Sequence, residues 1–149
     1  MVDFNDTAAF NRYIAAGSVY STPTLLRHLA RDPDARIRRR VAGNPNIPRD
    51  IVDMLVHDND IDVRIALTEN TAIAYEYMEL FVHDNCADVR FAIAENPLTP
   101  GEELLRLATD ENPYVAMRAR KTYSRVNPHT LHELAEIMAP AHLARRDVG

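Results

Sequence analysis

The sequence predicts an all-α solenoid of about four 26-residue, two-helix repeats with helical caps at both ends. Three observations predict it. Aspartates recur every 26 residues as Asp32, Asp58, Asp84 and Asp110, and the same period carries Arg38, Arg64 and Arg90 and then Asn44, Asn70 and Asn96. Upstream of each aspartate, Leu26, Val52, Met78 and Leu104 form one apolar column and Leu29, Leu55, Phe81 and Leu107 another. Within a unit the apolar residues fall at helical spacing between proline, asparagine and glycine punctuation. The tetrapeptide Val-His-Asp-Asn, at 56–59 and again at 82–85, is informative for its interval rather than for the histidine beside a carboxylate.

Residues 1–21 read as an N-terminal cap, with an amphipathic helix from Asp6 to Ala16 stopped by Gly17. Repeats follow at 22–47, 48–73, 74–99 and 100–126, and 127–149 form a C-terminal cap helix and tail. The first helix of a unit starts at Thr22-Pro23 or Ile47-Pro48, and Thr99-Pro100-Gly101-Glu102 has the form of a capping box with proline at the first helical position. Leu104, Leu105, Leu107 and Ala108 make its apolar stripe. The second helix pairs Ile37 with Val41, Val63 with Leu67 and Val89 with Ile93 at i, i+4, and stops at Gly43-Asn44 or Glu95-Asn96-Pro97. It is short, two or three turns, and expected to be partly 3₁₀. Asn127-Pro128 opens a last helix with Leu131, Leu134, Ile137 and Met138, ended by Pro140. Helices of this length fall below the roughly 12–15 residues that are marginally stable alone, so stacked neighbours must hold them.

Composition narrows the chemistry. A length of 149 residues with 46% apolar content suits one domain or one short solenoid. Cys86 is the sole cysteine, which rules out an internal disulfide, a thiolate zinc site and a cysteine-ligated cluster within one chain. No apolar run nears the roughly 20 residues that span a bilayer, and the opening MVDFNDTAAF lacks a signal core, so a cytoplasmic protein without membrane contact is expected. Net charge is −5, unevenly spread. Residues 1–49 carry eight Arg against four Asp, residues 50–112 three Arg against fifteen acids, and residues 113–149 six basic against three acidic groups.

The unit LARDPDARIRRRVAGNPNIP resembles the leucine-rich repeat variant family, whose units run from a proline-led helix through an L-A-x-D-P turn to a V-R-x-x-V-A helix ending in N-P. The resemblance covers about residues 22–126 and implies a right-handed α-α superhelix within the wider HEAT-like class. It also implies an internal polar ladder of Asp32, Arg38, Asp58, Arg64, Asp84 and Arg90 between neighbouring turns. Two departures stand out: with Cys86 alone the chain cannot build the cysteine-rich cluster module of some members, and Ala116 occupies the arginine column of the fourth unit. Where such families have a known role it is macromolecular binding, so the resemblance speaks to fold more than to function.

Each candidate for chemistry has a plainer reading. His57 and His83 share a column with Arg31 and Thr109, the solvated end of a first helix. Stacked helices lie about 8–10 Å apart, whereas zinc needs each nitrogen about 2.1 Å away. His129 and His132 with Glu133 and Glu136 lack the H-E-x-x-H arrangement. Cys86 occupies a turn column with Asp34, Asp60 and Asn112 and has no activating base in sequence. No catalytic residue, metal site or cofactor is assigned, and the protein is expected not to be an enzyme. In the second helices, Ile65, Phe91 and Met117 follow Arg39 in one column about 160–200° from the buried pair. They either form an apolar stripe for a partner or pack beneath a neighbouring helix. Arg36 to Arg40 add a local basic patch. The expected function is a scaffold that binds a protein partner through Arg36, Arg39, Arg40, Ile65, Phe91 and Met117. The alternative is a HEAT-like nucleic-acid module using the basic N-terminal patch with Arg118, Arg120, Lys121 and Arg125, which the acidic middle and the lack of interleaved aromatics disfavour.

Overall fold

The computed structural model describes residues 7–128 and 131–139, which form ten α-helices and no strand. The chain divides into two compact units, Met1–Phe81 and Val82–Gly149. The first holds α1 (Thr7–Gly17), α2 (Pro23–Leu29), α3 (Ala35–Ala42), α4 (Arg49–Leu55), α5 (Ile61–Thr68) and α6 (Glu76–Val82) up to Phe81. The second holds α7 (Ala87–Glu95), α8 (Gly101–Leu107), α9 (Pro113–Val126) and α10 (Leu131–Met138). Asp6, His129 and Pro140, which enter the readings above, lie outside the described residues, as do the side chains of Leu131 and Glu133.

The columns read from the sequence become the cores. Leu26, Leu29, Val52, Leu55 and Phe81 are buried in the first unit, as are the i, i+4 pairs Ile37 with Val41 and Val63 with Leu67. There α3 packs between α1 and α5. In the second unit Val89 and Ile93 are buried, and Leu104, Ala108, Tyr123 and Leu134 form one cluster that Leu105 joins. Leu134 thereby docks α10, whereas Ile137 and Met138 on the same helix are exposed.

Three second helices keep the expected two to three turns, with 8, 8 and 9 residues, while α9 runs to 14, and each first helix has 7. Two other expectations are corrected. All the second helices are α-helical rather than partly 3₁₀. Asp34, Asp60 and Asn112 each accept a hydrogen bond from a first-turn N–H and so start α3, α5 and α9, whereas α7 forms without such a cap. The capping box at Thr99 does not form either. The buried Thr99 hydroxyl donates to the Ile93 carbonyl at 2.7 Å, and α8 begins after Pro100 with no side-chain cap. At Thr22 the expected cap is present, accepting from the Leu25 N–H at 3.3 Å.

Candidate functional site

The arginine column separates residues that hold the fold from residues available on its surface. In the first unit, Arg38 donates through Nη1 to the main-chain carbonyl of Asp32 at 2.9 Å. Its Nε and Nη2 go to the two carboxylate oxygens of Asp58, in the next repeat, at 2.8 and 2.9 Å. In the second unit Arg90 repeats the pattern, with the Asp84 carbonyl at 2.8 Å and the Asp110 carboxylate at 2.8 and 3.1 Å. Arg64 donates to its own Asp58 carbonyl at 2.6 Å. The aspartate six residues back thus supplies a carbonyl, and the carboxylate partner stands twenty residues ahead. Each carboxylate also closes its own turn, Asp58 accepting from the Asp60 N–H and Asp110 from the Asn112 N–H. Burial pushes the Asp58 and Asp110 carboxyls up, but the hydrogen bonds from arginine and main chain outweigh it and leave both below the usual carboxylate range.

Two further sets of residues extend this framework. Arg12 on α1 donates to Asp32 at 2.8 Å and stands one period before Arg38, so the N-terminal cap is itself a degenerate repeat helix. The asparagine column forms a second ladder. Asn44, fully buried, donates to the carbonyls of Ala16 and Ser18 at 2.9 and 3.0 Å, and Asn70 to those of Ala42 and Asn44 at 2.7 and 3.0 Å. These amides satisfy carbonyls that end the preceding second helix.

The remaining arginines of α3 face a groove of about 530 Å³ in the first unit, lined by Tyr13, Gly17, Arg36, Arg39, Arg40, Gly43, Ala66, Glu69 and Asn70. The structure therefore brings Arg36, Arg39 and Arg40 together. Arg36 is held by Asp34, whose oxygens accept from Nε and Nη2 at 2.7 to 3.1 Å. That contact lowers the Asp34 carboxyl and raises the Arg36 guanidinium. Arg40 lies over the Tyr13 ring, 5.4 Å from its centroid, and beside Gly17. Arg39 is the least engaged: Asp62 is 3.9 Å away and both side chains are exposed.

Ile65 belongs to the first unit and is half-buried, outside the lining of that groove. In the second unit, where α7 packs on α9, Phe91 is half-buried beneath the Arg118 guanidinium, 5.1 Å from the ring centroid, while Met117 is 60% exposed. The apolar column is thus partly packed and partly open. Of the basic set on α9, Arg118 pairs with Glu95 at 3.1 Å and Arg120 donates to the Ala108 carbonyl at 2.8 Å, leaving Lys121 and Arg125 as exposed cations.

His57 borders one open cleft with Asp58, and His83 another with Asp84 and Glu111. Among the described residues no three His, Cys, Asp or Glu side chains are grouped to hold a metal ion. Cys86 is half-buried at the N-cap of α7, where its side chain makes no capping bond. No helix among the described residues is long and apolar enough to cross a membrane.

The family model for the leucine rich repeat variant matches residues 87–112, one period long, from α7 through α8 to the cap of α9. No curated protein and no solved structure matches the chain. The match contains Arg90, Asn96 and Asp110, one member of each polar column, and so supports the family read from the sequence. Residues 87–112 are similar to one leucine rich repeat variant unit, and the chain that carries them is an all-helical repeat fold.

Proposed function

We propose that this protein is a non-enzymatic scaffold, acting in the cytoplasm, that binds a protein partner through exposed residues of its second helices. The supporting observation is the contrast between adjacent arginines on α3: Arg38 spends its guanidinium on Asp32 and Asp58, whereas Arg39 projects into a groove with no carboxylate in hydrogen-bond distance. Exposed Met117 in the second unit is the apolar counterpart. A nucleic-acid role draws less support, because Arg118 and Arg120 are engaged within the chain. A reducing compartment suits the free thiol of Cys86.

The test is affinity capture from native cells with the wild-type chain, Arg39→Glu and Met117→Asp. A partner recovered by the wild type and lost with either variant, at unchanged helicity, supports the scaffold reading. Recovery of the same proteins by all three chains contradicts the assignment of these residues.

A further inference from the structure

We propose that the groove between α1, α3 and α5 receives an acidic segment of the partner protein, with Arg39 as the primary carboxylate contact and Arg40 and Arg36 as flanking charges. The inference rests on the scaffold reading above and adds the chemistry of the occupant. Three guanidiniums line the groove; Asp34 offsets that of Arg36, which leaves Arg39 and Arg40 against one lining carboxylate, Glu69, in a chain whose net charge is −5. The lining thus carries a small excess of positive charge, which attracts the opposite sign.

An obvious objection is that the groove also contains Gly17 and Gly43, at the C-terminal ends of α1 and α3, where main-chain carbonyls repel anions. The asparagine ladder answers it. Asn44 donates to the carbonyls of Ala16 and Ser18, Asn70 to those of Ala42 and Asn44, and Arg40 lies against Gly17. With those carbonyls occupied, the charges left facing the groove are those of the arginines and of Glu69. Arg39 is suited to bind because Asp62, at 3.9 Å and exposed, leaves its planar fork open to a bidentate carboxylate.

Peptide rather than nucleic acid fits the surroundings. The groove holds a few side chains, Arg40 already occupies one face of the Tyr13 ring, and Glu69 and Asp62 flank it. A phosphate backbone needs a continuous run of cations, whereas carboxylates on a flexible segment can meet these arginines and avoid those acids.

The experiment is fluorescence anisotropy on the full chain with a labelled, end-blocked, glutamate-rich peptide at low salt. A glutamine peptide of equal length and an oligothymidylate of equal charge serve as comparators. The glutamate peptide is expected to bind, the glutamine peptide not to, and Arg39→Glu to weaken binding at least about tenfold. Lys121→Glu, with the same change of net charge, is expected to keep it. Arg39→Gln, which removes charge without adding repulsion, is expected to weaken it less, and far-UV circular dichroism checks that each variant is folded. The proposal is overturned if the glutamate peptide binds no better than the glutamine one, if Arg39→Glu is silent, if Lys121→Glu loses as much, or if the oligothymidylate binds more tightly. Failure of the peptide while Met117→Asp still loses a captured partner overturns the acidic occupant and leaves the scaffold reading standing.

Discussion

Arg90 and Asp110 are joined across twenty residues by two hydrogen bonds, while the same guanidinium holds the Asp84 carbonyl of its own repeat. Their side chains are 9% and 8% exposed, so neither can be rehydrated in place if the other is removed. Arg90→Ala is therefore expected to lower stability by about 3 kcal/mol, as breaking a buried pair does. Urea unfolding of the full chain measures it. A loss within a few tenths of a kcal/mol contradicts the structural role.

Acid should dissolve the same ladder. The Asp58 and Asp110 carboxyls lie below their usual value in the folded chain, so the folded state binds fewer protons than the unfolded one between the two values. Their stabilisation is complete above the unfolded pKa of roughly 3.9 and is lost as pH falls through the folded values. The urea midpoint should fall steeply as pH drops below about 4. Asp110→Asn should lower the midpoint at neutral pH and make its acid dependence shallower, and an unchanged slope argues against this carboxylate as a source.

The asparagine ladder predicts an ordering of variants. Asn44 is fully buried, donates twice and accepts from the Asn46 N–H. Asn44→Ala leaves two carbonyls short of a donor and is expected to lose about 2 kcal/mol. Asn44→Asp should lose more, because a carboxylate would face the carbonyls of Ala16 and Ser18 with no proton to give. Thermal melts of the two variants decide it, and an Asp variant as stable as the Ala one contradicts the donor role.

One column holds a missed cap. Asp34, Asp60 and Asn112 cap their helices with side-chain oxygens, while Cys86 at the equivalent place of α7 makes no such bond. Cys86→Asp is expected to stabilise the chain by about 1 kcal/mol, through the cap and the favourable charge at a helix start. A lower melting temperature for the variant contradicts this and points to a packing role for the half-buried thiol.

The period, the paired helices and the apolar columns were all legible in the sequence because repetition samples one local environment several times. Leu29, Leu55, Phe81 and Leu107 share a column because each meets the same kind of neighbour, and all are buried. What the columns do not carry is direction. Arg38 and its Asp32 recur together every period, yet the carboxylate that binds Arg38 is Asp58, and a periodic pattern looks the same whether partners lie six residues back or twenty ahead. Arg12 belongs to the same columns, with Asp6 six residues before it and Arg38 one period after it, so the sequence itself extends the pattern into the N-terminal cap. At Thr99 the motif was present but a local competitor won, the hydroxyl being closer to the Ile93 carbonyl than to an N–H of α8. Arg36, Arg39 and Arg40 stand out in the sequence as a charge cluster, but the groove that unites them needs α1 and α5 in place.

The most direct measurement compares Arg38→Gln with Arg39→Gln, two neighbours on one helix, for urea stability and for binding of the glutamate-rich peptide. Arg38→Gln is expected to lower stability by about 2 to 3 kcal/mol, since it leaves the Asp58 carboxylate short of its partner. Arg39→Gln is expected to leave stability within about 0.5 kcal/mol and to weaken the peptide. The opposite pattern, an Arg39 variant that unfolds or an Arg38 variant as stable as the wild type, contradicts the division between a ladder that holds the repeats and a surface that binds.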